Sequence, residues 1–337
     1  MQFAAASFDG SVSIWTLQGQ KWTCTATVEG HENEVKAAVW SSFIDQVEGE
    51  EKRFLATCGR DKTVWIWAVD ESLHDPEDED FECLAVLQEH EQDIKCLTWH
   101  PQVPLFLTGS YDESVRVWGP TGPSLDDWIC LGALIKNAGG TIWSLAFSAD
   151  GKTLAVALST GKLVIYRLPE EEWTSFTQWT RSEYSLFHPI PLSSIQIEDG
   201  EGCSRGGGGC GDQSSHSESE SESEGGCCGG GSGKKKEASG CCGGGGKQKL
   251  ERKLEIPPAE LYSLCWSPDS QFLAVATGKR SILIWSLASE AVVAQIDAAH
   301  DEDINCISWS PSEPSLFVSC SDDGSVKLWQ FLREISE

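Results

Sequence analysis

The strongest constraint on this fold is a spacing that recurs along the chain: a turn ending in Asp, or a stand-in for it, followed six residues later by an aromatic that closes a strand. Asp9 leads to Trp15, Asp61 to Trp67, Asp112 to Trp118 and Asp323 to Trp329, while Thr160 and Tyr166 keep the interval without the acid. The unit returns roughly every 44 to 52 residues. With short apolar runs between turn residues, that is the signature of radially repeated four-stranded sheets, which use about 40 to 45 residues each. Such a chain builds a platform before it builds an enzyme.

Each unit keeps one order of strands. Residues 34–40, 54–58, 63–69 and 82–87 read as inner, second, third and outer strands, on period-2 alternation and β-branched or aromatic content. Inner strands recur at EVKAAVW, DIKCLTW, TIWSLAF, ELYSLCW and DINCISW, giving five complete starts. Residues 3–7 and 11–17 read as second and third strands without an inner strand, and residues 303–331 supply three strands at the other end. Five units and a part predict an open ring with unpaired strand groups at 3–17 and 326–331. Residues 44–52 and the acidic run 70–80 read as elongated loops.

Three segments follow from this pattern: repeats over 1–180, an insertion over 181–258, and repeats again over 259–337. The insertion carries SESESESE, KKK and Gly runs with paired Cys, a composition too polar and Gly-rich to offset ordering entropy, and disorder is the expectation there. Its GGGSGKKK run lacks the Ser or Thr after Lys, and the strand-to-helix setting, of a phosphate-binding loop. Cys203, Cys210, Cys227, Cys228, Cys241 and Cys242 lack the C-x2-C spacing that brings two sulfurs to one metal, so neither metal nor cofactor is expected.

Charge narrows the partners. With 52 acidic against 25 basic side chains the net charge is -27, which excludes wrapping a phosphate backbone and leaves basic or neutral proteins. No apolar run reaches the roughly 18 residues of a membrane span, and MQFAAASFDG has neither a charged n-region nor an apolar h-region. No nucleic acid and no membrane partner are expected. The remaining eight of fourteen Cys fall singly in apolar strands, as small hydrophobes do in a reducing, intracellular compartment.

Two sets of residues carry the functional reading. His31, Thr57, Asp61 and Trp67 form one polar set; His90, Thr108, Asp112 and Trp118, and His300, Ser319, Asp323 and Trp329, repeat it. A hydroxyl, a His and an Asp could also make a hydrolase triad. An active site is singular, whereas a buried network that fixes a fold repeats with the fold, so no catalytic residue is assigned. Two units lack the set, with Gly139-Gly140 or Ala259 before the inner strand, and are expected to be less rigid. Partner-binding candidates project from one rim, here the upper face: Arg60 and Tyr111, with Phe8 and Asp322 at the same turn position, and Lys36, Lys95, Trp143, Tyr262 and Asn305 at one inner-strand register. Arg60 suits either a local ion pair or recognition of a carboxylate.

At EGHENEVKAAVW, LATCGRDKTVWIWAVDE, LQEHEQDIKCLTWHP, GSYDESVRVW and TIWSLAF the chain resembles the WD40 subunit of the cytosolic iron-sulfur protein assembly (CIA) targeting complex, the Ciao family. The likeness is contiguous over residues 1–168 and stays in register over 261–330. Generic WD40 repeats share its GH and WD positions but not ENEVK or TC-x-RDK-x-VW-x-W. The resemblance implies an all-β WD40 β-propeller of seven blades, here lacking the first blade and the inner strand of the second. It further implies a non-catalytic scaffold without a cluster of its own. Its implied partners are a small cluster-relay protein, a HEAT-repeat adaptor, an iron-only-hydrogenase-like cluster carrier and iron-sulfur client apoproteins, in the cytoplasm with the nucleus as a second compartment. By this likeness the four-residue sets are the tetrads that tie WD40 blades together, and Arg60 falls on the arginine of the family's RDK segment. Another WD40 adaptor, such as a ubiquitin-ligase substrate receptor or chromatin scaffold, is the alternative.

Overall fold

The computed structural model describes residues 1–47, 50–70, 81–122, 125–168, 180–185, 197–199 and 259–332. These form six antiparallel sheets. The first has three strands, β1 (Gln2–Ala6), β2 (Ser11–Gln18) and β3 (Lys21–Glu29). The second comprises β4 (Val35–Val47), β5 (Glu50–Gly59), β6 (Thr63–Asp70) and β7 (Phe81–Gln88); the third, β8 (Ile94–Trp99), β9 (Phe106–Ser110), β10 (Ser114–Pro120) and β11 (Trp128–Lys136). The fourth holds β12 (Ile142–Phe147), β13 (Thr153–Leu158), β14 (Lys162–Arg167) and β15 (Thr180–Ser185). After the short β16 (Ile197–Asp199) come the fifth, β17 (Leu261–Trp266), β18 (Phe272–Thr277), β19 (Ile282–Ser286) and β20 (Ala291–Ile296), and the sixth, β21 (Ile304–Trp309), β22 (Leu316–Ser321) and β23 (Val326–Phe331), with β16 on its outer edge.

Alternation decides which strand faces what. β2 buries Val12, Ile14 and Thr16 and turns the intervening residues half outward, because its sheet packs on one face only. β13 is buried at every position, because both its faces are covered. Five apolar seams join the six sheets in order. Val12, Ile14, Leu55 and Trp67 make the first; Phe54, Ile66, Trp99 and Trp118 the second; Val117, Ile142, Val156 and Tyr166 the third. Ile165, Leu264, Trp266 and Trp285 make the fourth, and Ile284, Ile304, Trp309, Phe317 and Trp329 the fifth. Among the described residues no such seam joins the sixth sheet to the first. Val326 and Leu328 of β23 are instead 69% and 48% exposed, and Phe3 of β1, stacked on Trp15 with ring centroids 6.1 Å apart, is 41% exposed.

Three expectations about segments need correction. Residues 44–52 are largely not a loop: β4 and β5 run on as a hairpin paired from Ile44↔Arg53 to Val47↔Glu50, because pairing satisfies backbone groups that a loop leaves to water. The insertion does not begin at 181, since β15 runs through Ser185 as the partner of β14. Nor is the flank at 326–331 wholly unpaired, because Ile197, Glu198 and Asp199 take Phe331, Gln330 and Trp329 as partners. An exposed edge is a template for any extended segment within reach, and this chain supplies its own. Among the described residues β1, by contrast, pairs with β2 alone. The remainder of the 181–258 insertion, with its six Cys, and most of the acidic run after Asp70 lie outside the described residues.

Deleting residues 203–250 is therefore expected to leave the melting temperature within about 2 °C of the parent, since lengthening or shortening a polar loop changes closure entropy only weakly. Extending the deletion back through β16 strips the partner from β23 and lowers it further. A large loss from the shorter deletion would give that segment a part in the fold.

Candidate functional site

The polar sets come together as three copies of one network. His31 Nδ1 lies 2.7 Å from Asp61 Oδ2 and its Nε2 2.8 Å from Thr57 Oγ1, to which Trp67 Nε1–H donates at 3.2 Å. The same contacts measure 2.7, 2.7 and 2.8 Å at His90, Asp112, Thr108 and Trp118. They measure 2.9, 2.7 and 2.8 Å at His300, Asp323, Ser319 and Trp329. Sequence reading missed a fifth member, the hydroxyl two residues after each Asp. Thr63, Ser114 and Ser325 donate both backbone N–H and side-chain O–H to the other carboxylate oxygen. The signal was present as D-x-T or D-x-S in every copy.

Burial alone would raise Asp112, but hydrogen bonds from His90 and Ser114 outweigh it and hold the carboxyl well below its usual range. Asp61 is lowered in the same way, against burial, by His31 and Thr63. Burial lowers His90, with its bond to Asp112 acting in the opposite direction. The Thr57, Thr108 and Ser319 hydroxyls are each shared between an imidazole and an indole, and those of Thr63, Ser114 and Ser325 are bound to the Asp carboxylate.

The upper face is built by two backbone devices. In all five sheets with an inner strand the ladder slips by one residue near its start, so that Lys36, Lys95, Trp143, Tyr262 and Asn305 are each the extra residue of a bulge. A bulge re-aims the side chain it carries, here out of the sheet-to-sheet seams. The second device is a backbone bond from the residue before the turn to the residue before the inner strand. Arg60 N–H donates to Glu34 O at 2.9 Å, Tyr111 N–H to Asp93 O at 3.0 Å and Asp322 N–H to Asp303 O at 3.1 Å.

Together these surround an open cavity of about 430 Å³ lined by Lys36, Lys95, Trp143, Tyr262, Asp303, Asn305 and Asp322. Aromatic rings form one wall, with Tyr111 edge-on to Trp143 at 5.6 Å and Trp143 edge-on to Tyr262 at 5.4 Å. Lys95 Nζ sits 4.2 Å from the Tyr111 centroid and 5.1 Å from that of Trp143, while Lys36 Nζ sits 4.5 Å from that of Phe8. Trp143 Nε1 is shielded and has no hydrogen-bond partner among the described residues. Opposite the lysines, Asn305 Nδ2 donates to Asp322 at 2.5 Å. Burial, then the Glu260 and Asp303 carboxylates, push the Tyr262 phenol up to about 12. The cavity is thus cationic on one side, anionic on the other and aromatic between.

Arg60 stands at the rim rather than in the cavity. Its guanidinium lies 3.2 Å from Glu34, which also lies 3.6 Å from Lys36. Exposed pairs of this kind contribute only about 0–1 kcal/mol to stability.

Successive antiparallel sheets packed seam to seam, three of them closing inner loop to turn through His, Asp and a hydroxyl, define a WD40 β-propeller. The sequence model of the WD domain, G-beta repeat, matches residues 22–68, 81–119, 128–167, 249–286 and 293–330. The chain is similar to the probable cytosolic iron-sulfur protein assembly protein 1 of Vanderwaltozyma polyspora, at 34% identity over 59% of this chain and 72% of that one. It is also similar to the protein of the same name in Neurospora crassa, at 32% over 45% of this chain and 37% of the relative. Against a probable cytosolic Fe-S cluster assembly factor of Schizosaccharomyces pombe it is 46% identical over 48% of this chain and 24% of that protein. The chain belongs to the WD40-repeat family of cytosolic iron-sulfur protein assembly protein 1. It spans little more than a third of the length of the Neurospora relative.

Proposed function

We propose that this protein is a non-catalytic scaffold of cytosolic iron-sulfur protein assembly, which docks other proteins of that machinery and its client apoproteins on the upper face. The observation that carries the reading is the bulge-presented cavity of Lys36, Lys95, Trp143 and Tyr262 on a propeller whose relatives bear that name. Its geometry suits a protein segment with a carboxylate against the two ammonium groups and an apolar or aromatic side chain against the rings. Arg60 and Tyr111 extend the same surface, and Asn305 marks its anionic side. The cytosol is the compartment this role requires.

The open interval between the first and sixth sheets accompanies this proposal. Among the described residues β1 has no inner-strand partner and both flanking faces carry exposed apolar side chains, which is what a seven-bladed ring short of one blade and one strand would leave. Supplying those strands upstream of Met1 is expected to raise the melting temperature.

The test is affinity purification of tagged protein from its own cells, with partners identified by mass spectrometry. Iron-sulfur assembly proteins are expected from the parent, and their recovery should fall at least tenfold for Lys95→Glu and severalfold for Arg60→Glu. Melting temperatures should stay within about 3 °C, since neither side chain is core. Recovery of ubiquitin-ligase or histone partners instead would replace this scaffold by another WD40 adaptor, and unfolding of Arg60→Glu would make that residue structural.

A further inference from the structure

The sixth sheet presents a pair of thiols that the docking surface does not use. Cys306 of β21 and Cys320 of β22 are register partners, directly opposite each other and therefore on one face of the sheet. Opposed residues in an antiparallel pair have Cα atoms about 4.5 or 5.5 Å apart, and both values fall within the roughly 4.4–6.8 Å that a disulfide spans. Neither sulfur is bonded to another in the structure.

What sets this pair apart is its position in the repeat. The equivalent pairs are Ala37 with Cys58, Cys96 with Gly109, Ser144 with Ala157, and Ser263 with Ala276. All are small because the next sheet presses on them: a Cβ on Gly109 would run into Ile142 and Cys96. Ser144 Oγ accepts the Leu264 N–H at 3.1 Å and Ser263 Oγ the Ile307 N–H at 3.1 Å, each across a seam. Only in the sixth sheet does the pair consist of two thiols, and there no described residue covers it: Cys306 is exposed, as are Val318 and Val326 on the same face. Burial and the neighbouring Cys306 thiol raise Cys320, so Cys306 is the member that meets solvent first and Cys320 the one held in reserve beside it.

We propose that Cys306 and Cys320 form a dithiol site that small-molecule disulfides, oxidised glutathione in particular, convert to a cross-strand disulfide. The Cys306 thiolate attacks one sulfur of oxidised glutathione, forming a mixed disulfide and releasing one glutathione thiolate. Cys320 then gives up its proton and attacks the Cys306 sulfur, expelling the second glutathione. Two protein thiols are oxidised and one glutathione disulfide is reduced to two thiols.

Sequence makes the test direct, because the tryptic peptide from Ser281 to Lys327 contains these two cysteines and no others. The full chain is incubated with oxidised glutathione, alkylated without reduction, digested and weighed. The peptide is expected to lack two hydrogens and to carry no alkyl group, and to gain two alkyl groups when reduction precedes alkylation. In Cys320→Ser the reaction should stop at the mixed disulfide, with one glutathione on Cys306. A wild-type peptide that remains doubly alkylated, keeps glutathione on either cysteine, or is joined to a different peptide would overturn the proposal.

Discussion

Replacing Asp112 with Ala is expected to destabilise the protein by about 3 kcal/mol and to leave partner capture intact below the melting transition. The Asp112 carboxylate accepts from His90 Nδ1, from the Glu91 N–H at 3.0 Å and from both donors of Ser114, and once it is gone His90 Nδ1 is left with the longer 3.2 Å contact to Ser114 Oγ. Unsatisfied buried groups cost about 1–3 kcal/mol each, and water entering at the turn recovers part of that sum. Asp112→Asn keeps an oxygen at the same place and should cost less than half as much. Urea unfolding of the three proteins reads this directly. A loss below about 1 kcal/mol in the alanine variant would mean that the repeated network does not hold the inner loop to the turn.

Acid should weaken the fold through a histidine outside those networks. His100, between β8 and β9, is fully buried; its Nε2–H donates to the Gly151 carbonyl at 3.0 Å and its Nδ1 accepts the Gln102 N–H at 3.1 Å. Its ring stands edge-on to Phe147 at 4.9 Å. Both nitrogens are thus used by the neutral form, and burial lowers the folded pKa to about 4, against the bond to Gly151. An unfolded histidine titrates near 6.5, so between those values the unfolded chain binds the extra proton. Stability is fully present above about pH 6.5 and falls as the pH drops toward 4, by up to about 3 kcal/mol, because one pKa unit corresponds to about 1.4 kcal/mol. His90, also lowered by burial, acts in the same direction. Urea midpoints of the parent and of His100→Gln between pH 7.5 and 4.5 should converge as the pH falls, whatever their offset at neutrality. Parallel curves would show that His100 does not titrate there.

The repeat was legible from the chain because it is written in local chemistry. Turn residues at fixed offsets, two-residue alternation and a His, hydroxyl, Asp and Trp at constant spacing located the five inner strands and all three networks. What escaped was of a different kind. β15 and β16 are outer strands whose sequences, TRSEYS and IED, carry little alternation, and they are strands because β14 and β23 offered unpaired edges. The extension of β4 and β5 past Ile44 and Arg53 escaped for the same reason, since it rests on backbone pairing between the two strands. The fourth and fifth sheets lack the His-Asp network, yet β13 is buried throughout and β18 nearly so, because neighbouring sheets cover both faces.

On the upper face the sequence nominated one register without the reason the residues share it. Lys36, Lys95, Trp143, Tyr262 and Asn305 stood out by position in the repeat, but that each is the extra residue of a bulge, and that five of them close on one cavity, depends on hydrogen-bond pairing between distant strands. Local preference and periodicity, which act over a few residues, determined the blade and its network. Which edges found partners, which faces stayed open and which thiols met across two strands were decided by contacts between segments far apart in sequence, and those exist only once the sheets are stacked.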